Sequence, residues 1–226
     1  MDTKQHWEKI YATRRATEVS WFQTDPHRSL AFIRRVAPDV HSAIADVGGG
    51  ASTLVDALLH AGYQALTVLD ISAAALAQAR DRLADSAGKV NWLVANALEP
   101  ALPQAGIDFW HDRAVFHFLT DPRDRERYIE QVRRAIRPGG YVLIATFAED
   151  GPQKCSGLNV TRYSTSALKA QFGDQFELVD HDREDHVTPA GVHQSFQYCL
   201  LRFLPRTPEQ PVAKQGDEAD GAGGEA

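Results

Sequence analysis

Seven short apolar runs recur along the chain, and segments with helical spacing separate most of them. Residues 43–47, 65–69, 90–94 and 141–147 are rich in branched apolar side chains, and a less typical run at 107–110 lies between the third and fourth. Such alternation predicts βαβ units and a mostly parallel sheet. The last two runs, 176–180 and 195–204, flank a charged stretch that reads as a loop, so they predict an antiparallel hairpin at the sheet edge. The expected fold class is α/β, a doubly wound, mostly parallel seven-stranded sheet with an antiparallel C-terminal hairpin.

The helices carry their own punctuation. Residues 29–36 form a helical segment that ends before Pro38. Asp121 is placed as an N-cap with Pro122 in the first turn, and Tyr128, Ile129, Val132, Ala135 and Ile136 form one apolar stripe that stops at Pro138-Gly139-Gly140. A further helix is expected over 164–172. Near the N-terminus, Trp7, Ile10 and Tyr11 share a helical face, followed by an extended strap at Val19-Ser20-Trp21-Phe22. This divides the chain into a helix and strap over 1–28 that could close as a lid, a main domain over 29–204, and a tail over 205–226. The tail's Pro, Gly, Ala, Gln and acidic composition predicts disorder.

Composition narrows the function classes. The 226 residues are 43% hydrophobic and 24% charged, the balance of a water-soluble globular protein. A formal charge of -6 argues against a nucleic-acid partner, because phosphate binding needs a basic surface. The charged N-terminus lacks a signal-peptide pattern, and no apolar stretch reaches membrane-spanning length, so a cytoplasmic protein with no membrane partner is expected. Cys155 and Cys199 are too few and too distant for a disulfide scaffold. The pattern specifies no oligomeric state.

The chemistry begins at Asp46-Val47-Gly48-Gly49-Gly50, where a strand runs directly into glycines. Glycines there let the backbone approach a ligand, and the next helix turns its N-terminus toward it. A dinucleotide site needs glycine or alanine at position 53, where Thr53 stands, so nicotinamide and flavin are disfavoured. Asp46 beside the glycines suits a cation such as an ammonium group. Asp70 ends the second strand, where an acid accepts hydrogen bonds from both hydroxyls of an unphosphorylated ribose; its alternative is helix capping shared with Ser72.

With these motifs in order, residues 40–150 resemble the class I, Rossmann-like S-adenosylmethionine-dependent methyltransferases. Asp46 to Gly50 looks like the first motif of that family and Asp70 like its ribose acid. Asn96-Ala97 resembles its adenine-side turn, residues 107–113 its fourth strand, and Ile136-Arg137-Pro138-Gly139-Gly140 its approach to strand five. The resemblance implies S-adenosyl-L-methionine as cofactor. Gly48, Gly49 and Gly50 would pass its methionine part, Asp46 would hold its amino group, and Asp70 its ribose. Ile71 and Ala97 would sandwich the adenine, with Trp110 and His111 facing the cofactor. Asn96 departs from the usual acid, though its amide oxygen can accept from the adenine amino group.

For the acceptor, His111-Asp112-Arg113 and His117 form the densest polar cluster. Arg113 would bind an anionic group, Asp112 would orient it, and His111 or His117 would relay a proton; the alternative is an Asp112–Arg113 ion pair with the histidines satisfying loop backbone. Trp7, Tyr11, Trp21 and Phe22 would form an aromatic lid over the cofactor and bind the substrate, or else a small hydrophobic satellite cluster. The N-terminal pattern resembles that of methyltransferases acting on thiols, halides or thiopurines, and also of some lysine methyltransferases. Cys155 follows strand five within reach of the site and is read as an inert thiol rather than a catalytic or metalloid-binding one. His181, His186 and His193 lack tight ligand spacing, so a solvated loop is expected and no metal. The expected reaction is methyl transfer to a small molecule with a soft or acidic nucleophile. A protein-lysine acceptor and a non-catalytic S-adenosylmethionine-binding protein are the alternatives.

Overall fold

The structure is a computed structural model that describes residues 3–205. Seven strands form one sheet in the order β3-β2-β1-β4-β5-β9-β8. They are β1 (Ile44–Val47), β2 (Leu66–Asp70), β3 (Val90–Val94), β4 (Ile107–Arg113), β5 (Ile136–Phe147), β8 (Phe176–Val187) and β9 (His193–Phe203). The first five are parallel, and β9 runs antiparallel between β5 and β8. A small two-stranded sheet, β6 (Lys154–Cys155) with β7 (Leu158–Asn159), follows β5.

Helices cover both faces of the sheet, which is why its central strands β1 and β4 are buried nearly throughout rather than alternating. On one face α2 (His27–Val36), α3 (Leu54–His60) and α4 (Ala73–Leu83) bury Ile33, Leu58 and Leu76. On the other, α5 (Pro122–Ala135) and α6 (Thr165–Phe172) bury Tyr128, Val132 and Phe172. Full burial of such a side chain contributes roughly 1.5–3 kcal/mol, so a charge at Val132 would break the α5 contact. The expected caps form: the side chains of Asp121 and Ser164 accept from Arg123 N and Ala167 N. The remaining helix, α1 (Thr3–Thr13), lies against α4, where Gln78 Nε2 donates to the carbonyls of Tyr11 and Arg14 at 2.7 and 2.8 Å.

Three expectations change. Residues 19–22 are not extended: a 3-10 turn (Ala16–Glu18) and a Phe22 N to Val19 O hydrogen bond curl the strap. Ile136 does not continue the helical stripe but opens β5 opposite Ile107, still fully buried. The charged stretch after residue 180 is strand, paired with β9 up to Val187, and only residues 188–192 form the loop. Its charges do not prevent pairing, because one flank of β8 is open to solvent. The tail expectation lies, except for Pro205, outside the described residues.

Candidate active site

The strand order reverses at β1, and a cleft opens there beyond the carboxyl ends of β1, β2 and β4, where ligands of open α/β sheets bind. Its sheet side comprises Gly48, Asp70, Ile71, Asn96, Ala97 and Val115; its cover comprises Trp7, Tyr11 and Trp21. A narrower arm continues past Gly48 and Gly49 to Asp46, Ser29, Phe22 and His111. Tyr11, Trp21, Gly48 and Arg113 border both.

The glycines are dictated by backbone and space together. Gly48 has φ +69°, and a Cβ on it would lie 1.9 Å from Val115 Cγ2. Gly50 has φ +44°, and its Cβ would lie 2.9 Å from Asp70 Oδ2. Side chains at either position would close the turn on the cleft.

The two acids of this region meet a cofactor differently. Asp46 is buried, with Oδ1 2.7 Å from His111 Nδ1, while its buried Oδ2 has no partner. A buried carboxylate oxygen without a donor is costly, and a ligand ammonium would satisfy it. Asp70 Oδ1 accepts from Ser72 N at 2.8 Å, so the capping role of Asp70 is present beside its place on the cleft wall. Burial, with Asp46 and Glu8 nearby, pushes the Asp70 carboxyl up to about 7. Ribose hydroxyls would donate to its ionised form. The residues present therefore fit S-adenosylmethionine: Asp46 for the ammonium, Asp70 for the ribose, and Ile71 with Ala97 along the adenine end. Asn96 also borders that end, with its amide oxygen accepting from Leu98 N at 3.0 Å.

At the end of β4 the side chains split by parity. Trp110 and Asp112 point to the α5 face, away from the cleft. Trp110 Nε1 donates to Tyr128 Oη at 2.9 Å, and Trp110 is buried in the core rather than facing a cofactor. Asp112 is fully buried and accepts from Tyr128 Oη at 2.5 Å and from Val115 N at 2.8 Å and Phe116 N at 3.1 Å. Burial pushes its carboxyl up to about 6 despite those donors. It anchors the turn after β4 and orients no acceptor.

His111 and Arg113 point the other way. Both ring nitrogens of His111 are engaged, Nδ1 with Asp46 and Nε2 with Ser29 Oγ at 2.8 Å, so it borders the narrow arm without a free position for proton relay. Arg113 pairs not with Asp112 but with Glu184 at 3.4 Å. It also donates to Tyr198 Oη at 3.0 Å and to the Trp21 carbonyl at 2.9 Å, stacked over Phe196. Its donors tie the strap to β8 and β9 rather than await an anion. His117, in the 3-10 turn Phe116–Phe118, is buried against Phe118 and Phe147. Its Nδ1 accepts from Phe147 N at 3.3 Å, and burial followed by Arg113 lowers it to about 3. It stays neutral and outside the cleft lining, the backbone-satisfying alternative.

The N-terminal aromatic side chains form the satellite cluster and also line the cleft. Trp7 packs edge-on against Trp21 and Phe118 with ring centroids 5.5 and 5.1 Å away, and Trp21 Nε1 donates to Tyr11 Oη at 3.0 Å. This satellite cluster also forms the cleft wall, with Phe22 on the narrow arm. Cys155 is buried on the same wall, and burial pushes its thiol up to about 12, an inert neutral group. His181 and His186 lie on β8 rather than in a loop, and His186 Nε2 contacts the Ser20 carbonyl at 2.8 Å. Among the described residues no three His, Cys, Asp or Glu side chains group as a metal site.

Several contributors gave no local signal. Glu8 accepts from Ala73 N and Ala74 N at 2.7 and 3.1 Å, capping α4 from α1. Glu184 accepts from Gln23 Nε2 at 2.7 Å across 161 residues. Ser29, Tyr128 and Tyr198 likewise acquire roles only through distant partners.

Residues 44–140 match a family model described as a methyltransferase domain. The chain is similar to EEF1A lysine methyltransferase 2 of Danio rerio, 26% identical over 160 residues that make up 65% of this chain and 69% of that protein. Two solved structures share the fold. One, described by the conversion of a disulfide bond into a thioacetal group during echinomycin biosynthesis, gives a TM-score of 0.72 at 20% identity, covering 89% of this chain and 92% of that one. The other, the N-methyltransferase NodS of Bradyrhizobium japonicum in complex with S-adenosyl-L-homocysteine, gives 0.66 at 14% identity over 90% and 99%. The stretch from β1 to the start of β5 thus matches a methyltransferase domain, and the chain shares its fold with S-adenosylmethionine-dependent methyltransferases of known structure.

Proposed function

We propose that the methyl acceptor is a small molecule whose reacting atom is soft or acidic, such as a thiol. The observation that carries this reading is that the tyrosine, cysteine and histidine side chains described around the covered side of the cleft offer no free base. Burial pushes the Tyr11 hydroxyl well above its usual range and the Cys155 thiol to about 12, His117 faces away, and both nitrogens of His111 are held. The cofactor supplies an activated methyl group, and the protein's task is to align an acceptor lone pair and exclude water. A thiolate arrives with its lone pair free, whereas an ammonium must first lose a proton. The walls formed by Trp7, Trp21 and Phe118 suit an apolar acceptor body.

The likeness to a lysine methyltransferase favours a second reading, in which a protein lysine enters the cleft already neutral. Labelled-methyl transfer separates the two. Incubation with a panel of thiols, phenols and carboxylic acids is expected to release S-adenosylhomocysteine and place label in small molecules. Label found only in protein from a cell extract would replace the first reading with the second.

A further inference from the structure

Methyl transfer to either acceptor class leaves one feature of the narrow arm unused. Three polar side chains from three elements form a single buried chain: Ser29 from α2, His111 from β4 and Asp46 from β1. They are only 2%, 3% and 3% exposed. Ser29 Oγ lies 2.8 Å from His111 Nε2, and His111 Nδ1 lies 2.7 Å from Asp46 Oδ1. The chain ends at Asp46 Oδ2, which is buried, without a partner, and on an arm that continues from the glycine turn.

The hydrogen-bond roles follow from the groups. A carboxylate oxygen accepts, so Nδ1 of His111 donates to Asp46 Oδ1, while Nε2 meets the Ser29 hydroxyl, a group able to give or take a hydrogen bond. With Oδ1 held, rotation of the carboxylate is fixed and Oδ2 keeps one direction. Preorganisation of this kind is how residues outside the first layer of contacts raise affinity and selectivity.

We propose that His111 and Ser29 are positioning residues that aim the free oxygen of Asp46 at the α-ammonium group of S-adenosylmethionine, so that the site selects ligands by their amino-acid part. This rests on the cofactor assignment and holds for either acceptor. A purely structural role, in which the chain only pins α2 to the sheet, makes a different prediction. It would affect every nucleoside ligand alike.

Titration calorimetry with S-adenosylhomocysteine and with 5′-methylthioadenosine, which lacks the amino-acid part, distinguishes them. His111→Leu is expected to weaken S-adenosylhomocysteine at least about tenfold while leaving methylthioadenosine within about twofold, the scale of a lost hydrogen bond to a charged group. His111→Asn, whose amide can donate from near the Nδ1 position, should recover to within about threefold, and Ser29→Ala should lose about threefold on S-adenosylhomocysteine alone. Equal losses for both ligands, or undiminished S-adenosylhomocysteine affinity in His111→Leu, would overturn the proposal. If His111→Leu fails to fold, Ser29→Ala decides: an unchanged ratio of the two affinities overturns it. Wild-type protein that binds neither nucleoside would instead overturn the cofactor assignment.

Discussion

The ends of β2 and β4 each carry an aspartate beyond an apolar run, and the two have opposite fates. Asp70 lies on the cleft wall beside the glycine turn, with one oxygen on Ser72 N. Asp112, two strands away across β1, is fully enclosed by Tyr128 and the backbone of the turn after β4. Burial raises both carboxyls, to about 7 and about 6. A perturbed acid at a strand end is therefore no guide to function by itself; what decides is whether its remaining lone pairs face a cavity or a protein donor.

The largest effect that would sharpen this contrast is Asp112→Ala. It strands the Tyr128 hydroxyl and two backbone N–H groups, and should cost roughly 3–5 kcal/mol of stability in urea unfolding. A loss below about 1 kcal/mol would break the assignment of Asp112 to the framework. Next, Asp70→Ala should leave the thermal midpoint near wild type yet weaken S-adenosylmethionine by about 2–3 kcal/mol in calorimetry, roughly 30- to 150-fold. Unchanged affinity in the folded variant would remove Asp70 from the site.

A pH series tests the same acid without mutation. Because its carboxyl is raised to about 7, the folded apoprotein keeps a proton that the unfolded chain has already released. That contribution to stability is present below the ordinary carboxylate range and is lost as pH rises through about 7. Cofactor binding has the opposite sign, since ribose hydroxyls donate to the ionised form. Affinity should plateau above neutrality and fall by up to about tenfold per pH unit below it, a dependence that Asp70→Asn abolishes. Smallest in its effect on the site is Trp110→Phe, which removes the hydrogen bond to Tyr128 together with part of a buried ring; it should cost about 2 kcal/mol of stability and leave cofactor affinity unchanged. A marked affinity loss there would mean that the α5 side of β4 reaches the cofactor.

The legible part of the molecule was the part written in neighbouring residues. The run into Gly48-Gly49-Gly50, the Asp121 and Ser164 caps and the α5 stripe all depend on contacts within a turn or two. The acceptor side was misjudged at Asp112, Arg113 and His117, although all three were recognised as a polar cluster. β4 is buried on both faces, so no polar–apolar alternation marks which side chains turn toward the cleft. The charged residues of β8 read as loop for a related reason: an edge strand takes its pairing from β9, not from its own composition.

The amino-acid sequence by itself determined the strand–glycine–helix unit, the acid that ends β2 and the order of strands and helices, because propensity, caps and close backbone approach act over a few residues. Tertiary structure alone decided that Arg113 would hold the Trp21 carbonyl and Glu184, that Asp112 would serve the framework, and that His111 would join Ser29 to Asp46. Those partners lie 16 to 92 residues apart. Which of them meet depends on how layers stack over the sheet and on which face of a strand each side chain leaves, neither of which is encoded in adjacent residues.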